Sequence, residues 1–239
     1  MGRLAVQASA QARHLGDEII KQAGAVQRAV DAGSAASEVR AVDLMNAVAA
    51  MLGTANDGPP GYQLRAAVEA TSETAAAFAQ AARAIADAEA REVAAALLGG
   101  FAGLIEAFPR TLEPEPRSEL AIFLAHELFL ILIAALLRAG RWALLANLLN
   151  RHIFVAHPPG NFGSGDVPLT LLAAPGRLLM ERGRLHGQPT APLQVALLYE
   201  RHGAGDPLAA YAPLSGLVDA DLLLWLRMAA AREHDPARA

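Results

Sequence analysis

The stretch from Ser118 to His152, SELAIFLAHELFLILIAALLRAGRWALLANLLNRH, constrains this chain more than any other. A helix that is apolar nearly all round must be covered on every side by protein or sit in lipid. Ser118 suits an N-cap and Glu119 the positive end of the helix dipole, while Arg138 suits the negative end. Gly140 can take the left-handed conformation that stops a helix. Trp142 to Arg151 then reads as a second, shorter helix, and the brief turn makes the two antiparallel neighbours. The longest uncharged run, Leu128 to Leu137, falls well short of the roughly 18–20 residues a spanning helix needs. Extending it upstream puts His126 and Glu127 near mid-span, where an acidic group costs about 2–3 kcal/mol. We therefore expect the core helix of a soluble protein, with a membrane-associated helical protein as an alternative.

Composition supports helices throughout. Aromatic residues make up 5% of the chain and β-branched residues are also scarce, which argues against sheets, while Ala favours thin, closely packing helices. The expected class is all-α, a helical bundle built around the central antiparallel hairpin. With no cysteine, disulfides and Cys-based zinc or redox sites are excluded, which fits a reducing cytoplasm. The first twenty residues hold no apolar core of signal-peptide type, and Val6 occupies the position where a myristoylation signal has Ser or Thr. We expect a cytoplasmic protein. The net charge of −4 is unlike that of a nucleic-acid binder, and the predominance of Arg over the lone Lys21, with much Ala and Gly, suggests a GC-rich bacterial genome.

The periodicity of Leu4, Ala8, Ala12, Leu15, Ile19, Ala23, Val26 and Val30 predicts an amphipathic helix ending at Gly33-Ser34. A second is expected over Glu38 to Leu52, capped by Ser37, stopped by Gly53, and buried through Val42, Met45, Val48 and Leu52. After the turn-forming GTANDGPPG, a long Ala-rich helical segment runs from Tyr62. Thr71-Ser72-Glu73 is expected to divide it and Gly99-Gly100 to weaken it. The proline-rich segment from Pro109 to Arg117 is the best boundary. It divides an Ala-rich N-terminal part (1–108) from a Leu-rich C-terminal part (118–239), with 109–117 as connector. Beyond His152 the chain reads as irregular: Ile153-Phe154-Val155 merely extended, His157 to Asp166 a surface loop, and Asp166 a cap with Pro168 in the next helix. Helices are expected over Leu169 to Arg182, after Thr190 as far as Gly203, briefly from Asp206-Pro207, and from Ser215 or Asp219. The last is expected to bury Leu217, Leu224 and Met228 on one side and Leu222 and Trp225 on the adjacent one.

Candidate chemistry is sparse. His126-Glu127 lacks the second histidine of a HExxH zinc site, since Leu130 stands there. The economical reading makes the pair part of a solvent-facing stripe; the other makes it a buried proton-transfer or switch pair. The loop Gly160 to Asp166 lacks the GK[ST] ending of a phosphate cradle, and Ser164 is in no GxSxG setting. Asp219 and Asp221 suit a helix N-terminus and lack further nearby carboxylates for a metal. Neither a metal nor a cofactor is expected.

The segment Arg151-His152-Ile153-Phe154-Val155-Ala156-His157 is similar to the short active-site motif of HEPN ribonucleases, small all-α domains of bacterial toxin and antiphage systems. The resemblance implies Arg151 and His157 as catalytic residues, the histidine as acid or base and the arginine stabilising charge on phosphate, in metal-independent RNA cleavage. It covers seven residues, and an Arg followed by a His after a gap of four to six residues recurs at Arg227 and His234. Nucleic acid, if bound at all, would engage Arg138, Arg141, Arg151, Arg177, Arg182 and Arg184, helped by His152 and His186; otherwise these side chains serve helix ends. The expected function is non-enzymatic: an interaction or regulatory module of a bacterial protein or complex. Its expected partner is another protein chain or a second copy in a homo-oligomer.

Overall fold

The structure, a computed structural model, describes residues 2–53, 67–107, 116–155, 165–168, 193–203 and 207–234. The described chain is all-α apart from one small ribbon. Its helices are α1 (Gly2–Asp31), α2 (Ser37–Gly53), α3 (Ser72–Ala88), α4 (Arg91–Ala107), α5 (Pro116–Arg138), α6 (Trp142–Leu149), α7 (Leu193–His202) and α8 (Leu214–His234), with a 3₁₀ turn at Pro207–Ala210. A further helical turn at 67–70 precedes α3.

The C-terminal half of α1 buries Ile19, Ala23, Val26 and Val30, the later part of the stripe its periodicity predicts, against α2 and α3. On α2 the buried face is Ala41, Leu44, Met45, Val48 and Leu52; Val42 is turned out to solvent, contrary to the expected stripe. The interruption at Thr71 is where hydroxyl competition predicts it: its Oγ1 donates to the Val68 carbonyl at 2.7 Å.

A second interruption, between α3 and α4, has no Gly or Pro to announce it. Glu89 ends α3 in the left-handed region (φ 51°), with its N–H and that of Ala90 directed to the carbonyls of Ala86 and Ile85. Arg141 reaches in from the start of α6, donating through Nε to Ala86 O (2.8 Å) and through Nη2 to Asp87 O (2.6 Å). A cation thus occupies the negative end of α3, and orphan carbonyls gain donors. Conversely, α4 passes through Gly99-Gly100 without a break. Gly100 lies so close to Met45 that a Cβ there would overlap the methionine side chain, so this glycine sets the α2–α4 approach.

Helix α5 begins at Pro116, two residues before the expected cap, and Ser118 is buried inside its first turn. Its main neighbours are α3 and α8, with α4, α6 and α2 completing the cover. A staircase of edge-to-face rings crosses three helices: Phe78 on α3 and Phe101 on α4 at 6.1 Å, then Phe101 and Phe129 on α5 at 5.7 Å. Buried apolar side chains form a continuous core from Ile19 to Leu224. α5 is the one described helix long and apolar enough to cross a membrane, yet 89% of its most apolar window is buried by its neighbours. Gly140, at φ 66°, turns the chain into α6 as expected.

The sequence reading misses the ribbon. β1 (His152–Val155) pairs antiparallel with β2 (Gly165–Pro168), with Ile153 opposite Val167 and Phe154 opposite Asp166. Asp166 and Pro168, read as the start of a helix, lie in β2 instead. A two-stranded ribbon is marginal alone, and β1 also packs against α4. The remainder of the expected loop (157–164) and the expected helix Leu169 to Arg182 lie outside the described residues.

Candidate functional site

Two features rise above ordinary packing. The first is a polar knot inside the core, and it overturns the reading of His126 and Glu127 as a solvent-facing stripe. Glu127 is fully buried, and His126 keeps only 5% of its surface. α7 answers them with Gln194, Arg201 and His202, all buried. Glu127 Oε1 is 2.8 Å from Arg201 Nε, an ion-pair contact whose N–H is not aligned for a hydrogen bond, and 2.9 Å from His202 Nε2. His202 Nδ1 faces the carbonyl of Ala212 at 2.7 Å. Both ring nitrogens thus face oxygen acceptors.

Arg201 Nη1 donates to the Val68 carbonyl and, at 3.0 Å, to Thr71 Oγ1, so the arginine finishes the helical turn that Thr71 interrupts. Its guanidinium carbon also lies 5.8 Å from the Phe123 ring centre. Gln194 Nε2 meets His126 Nδ1, while His126 Nε2 stands 3.6 Å from Asp221 Oδ1 on α8. Among the described residues, four buried atoms in the knot besides Arg201 Nε have no hydrogen-bond partner: Glu127 Oε2, Arg201 Nη2, Gln194 Oε1 and His126 Nε2. A carboxylate so enclosed cannot meet a substrate without α7 lifting away. What the knot does in place is fix α7 and the chain around Ala212 against α5.

The second feature is on the outside of α8. Leu217, Ala220 and Leu224 bury its inner face, and Gly216 faces Ala134 of α5, where a Cβ would lie at ordinary contact distance, 3.5 Å from Ala134 Cβ. The expectation that Leu222 and Trp225 are also buried fails. Leu222 is 54% exposed, Trp225 59%, Leu226 51% and Val218 44%. Beside them a groove of about 560 Å³ runs between α8 and the α5–α6 corner, lined by Leu137, Trp142, Leu222, Leu223 and Leu226, with Arg138 and Asp219 among its polar residues. Trp142 is itself 64% exposed.

The other sequence candidates fall as follows. Arg151 is exposed at the end of α6, its Nε donating to Asn147 Oδ1 at 3.3 Å. Arg227 donates to the neighbouring Asn150. His157, Arg177, Arg182, Arg184 and His186 lie outside the described residues. Arg138 donates to the Tyr211 carbonyl at 3.3 Å, and Arg141 serves the end of α3. Asp219 and Asp221 lie inside α8 rather than at its start. No cluster of three or more metal-ligating side chains occurs among the described residues. At the end of α3, the hydrogen bond from Arg91 (2.7 Å), with the charges of Arg91 and Arg141, holds the Glu89 carboxyl below the usual range.

Sequence reasoning misses the knot because its parts are scattered along the chain. An Arg-His pair at the end of a half-apolar helix, opposite a His-Glu pair in an apolar one, is the signal that could have found it. No protein family, curated protein or solved structure matches this chain.

Proposed function

We propose that this chain is a non-enzymatic helical interaction module that docks through the uncovered stripe of α8. One observation carries the reading: Val218, Leu222, Trp225 and Leu226 lie side by side in solvent, beside a groove walled by Trp142. Together with Trp142 they present on the order of 600 Å² of apolar surface, at the upper end of what a monomer ordinarily leaves bare. The buried knot supports the same reading, since it holds α7 and the start of α8 rigidly on α5 and so preforms the stripe. The flanking charges favour a protein over a lipid surface. Asp219 and Asp221 border the stripe, where a membrane-surface helix would carry Lys or Arg.

Photo-crosslinking from position 225 in producing cells tests this. Covalent adducts from 225, absent when the photoreactive residue replaces Lys21 on α1, are the expected result. No adduct from position 225 would overturn it.

A further inference from the structure

Resting on that reading, we infer that the occupant of the α8 face is a second copy of this chain, packed antiparallel, α8 on α8, about a two-fold axis at Leu222. The stripe Val218, Leu222, Trp225 is spaced by four and then three residues, the seam by which one helix packs on another. Leu222 lies near the middle of α8, so a two-fold there overlaps positions 214 to 230, most of the helix. In that register Leu222 meets its own copy and Val218 meets Leu226. Trp225 meets position 219, which lines the groove, where the indole N–H can donate to the carboxylate of Asp219.

Direction follows from charge. The first half of α8 carries Asp219 and Asp221, and Arg227 follows in the second. Antiparallel packing sets the acidic half of each copy beside the arginine of the other; parallel packing would set like on like. Area fits as well. About 600 Å² of apolar surface, with a polar rim added, approaches the roughly 800 Å² per partner of a standard interface. A ridge beside a groove on the same helix also supplies the self-complementary surface an isologous dimer requires.

The absence of cysteine makes the test clean. Leu222→Cys, Val218→Cys, Leu226→Cys and a Lys21→Cys control are each oxidised mildly or treated with a short bismaleimide, after circular dichroism confirms helix content. Leu222→Cys is expected to give at least about ten-fold more covalent dimer than Lys21→Cys, because the two-fold holds its thiols together. Val218→Cys mixed with Leu226→Cys is expected to cross-link, and Val218→Cys alone is not. Leu222→Cys dimer no greater than the control overturns the proposal, as does efficient self-cross-linking of Val218→Cys alone. If adducts from position 225 then prove to contain a different protein, the docking reading stands and the second copy is excluded. No adduct of any kind overturns both.

Discussion

Glu127 Oε1 and His202 Nε2 meet at 2.9 Å with neither side chain reaching solvent, joining α5 to the end of α7. The same histidine faces the Ala212 carbonyl just before α8, so Glu127 and His202 together link α5, α7 and the chain leading into α8.

Removing that carboxylate strands Arg201 in the core. Glu127→Ala is expected to cost about 3–5 kcal/mol, the usual penalty for an uncompensated buried charge. Glu127→Leu combined with Arg201→Met is expected to recover most of it, since an apolar pair can replace a buried ion pair. Urea denaturation of the three proteins checks this; a double variant no more stable than Glu127→Ala contradicts it.

The two adjacent glycines of α4 should respond oppositely to alanine. Nothing lies within 4 Å of a Cβ at Gly99, so Gly99→Ala is expected to stabilise by about 0.5–1 kcal/mol through helix propensity. Gly100→Ala would overlap Met45 and is expected to cost about 1–3 kcal/mol. Thermal melts of the pair separate the two effects.

Arg141 gives two hydrogen bonds to the carbonyl end of α3. Arg141→Ala is expected to cost about 1–2 kcal/mol, and Arg141→Lys to restore only part of that, since an ammonium does not reproduce the guanidinium fork. An Arg141→Ala variant as stable as the wild type would return this residue to the pool of free surface cations.

Acid should loosen the same corner. The Glu89 carboxyl titrates below its ordinary value of 4.5 in the folded chain, chiefly through the hydrogen bond from Arg91. Its folded form therefore binds protons less readily than the unfolded chain. The stabilisation is present above 4.5 and is lost as pH falls through the lowered folded value. Glu89→Gln should remove this increment near neutrality and flatten stability against pH on the acid side. Denaturation midpoints from pH 3 to 6 test it; an unchanged acid limb contradicts it.

The interaction reading also bears on RNA. Purified chain in EDTA is expected to leave RNA intact, with His157→Ala no different. Cleavage by the wild type that His157→Ala abolishes would favour the HEPN-like ribonuclease suggested by Arg151 and His157.

What the sequence discloses is what one element decides by itself. The stripe Ile19, Ala23, Val26 and Val30, the stop at Gly140 and the break at Thr71 each depend on a few neighbours in the chain, and each is legible. The stop at Glu89 is not, because its left-handed backbone is stabilised by Arg141, far along the sequence. The knot is hidden for the same reason: nothing near Glu127 in the chain announces Arg201. The uncovered stripe is hidden differently. Leu222 and Trp225 are as apolar as core residues, and hydrophobicity says that a side chain seeks cover without saying whose.

That last point makes solution mass the most direct measurement. Light scattering of the wild type is expected to give twice the single-chain mass of 25.0 kDa, and Leu222→Asp, with unchanged helix content, the single-chain value. A wild type that stays at one copy across the accessible concentrations, or a Leu222→Asp variant that stays at two, would contradict α8 as the face on which copies of this chain meet.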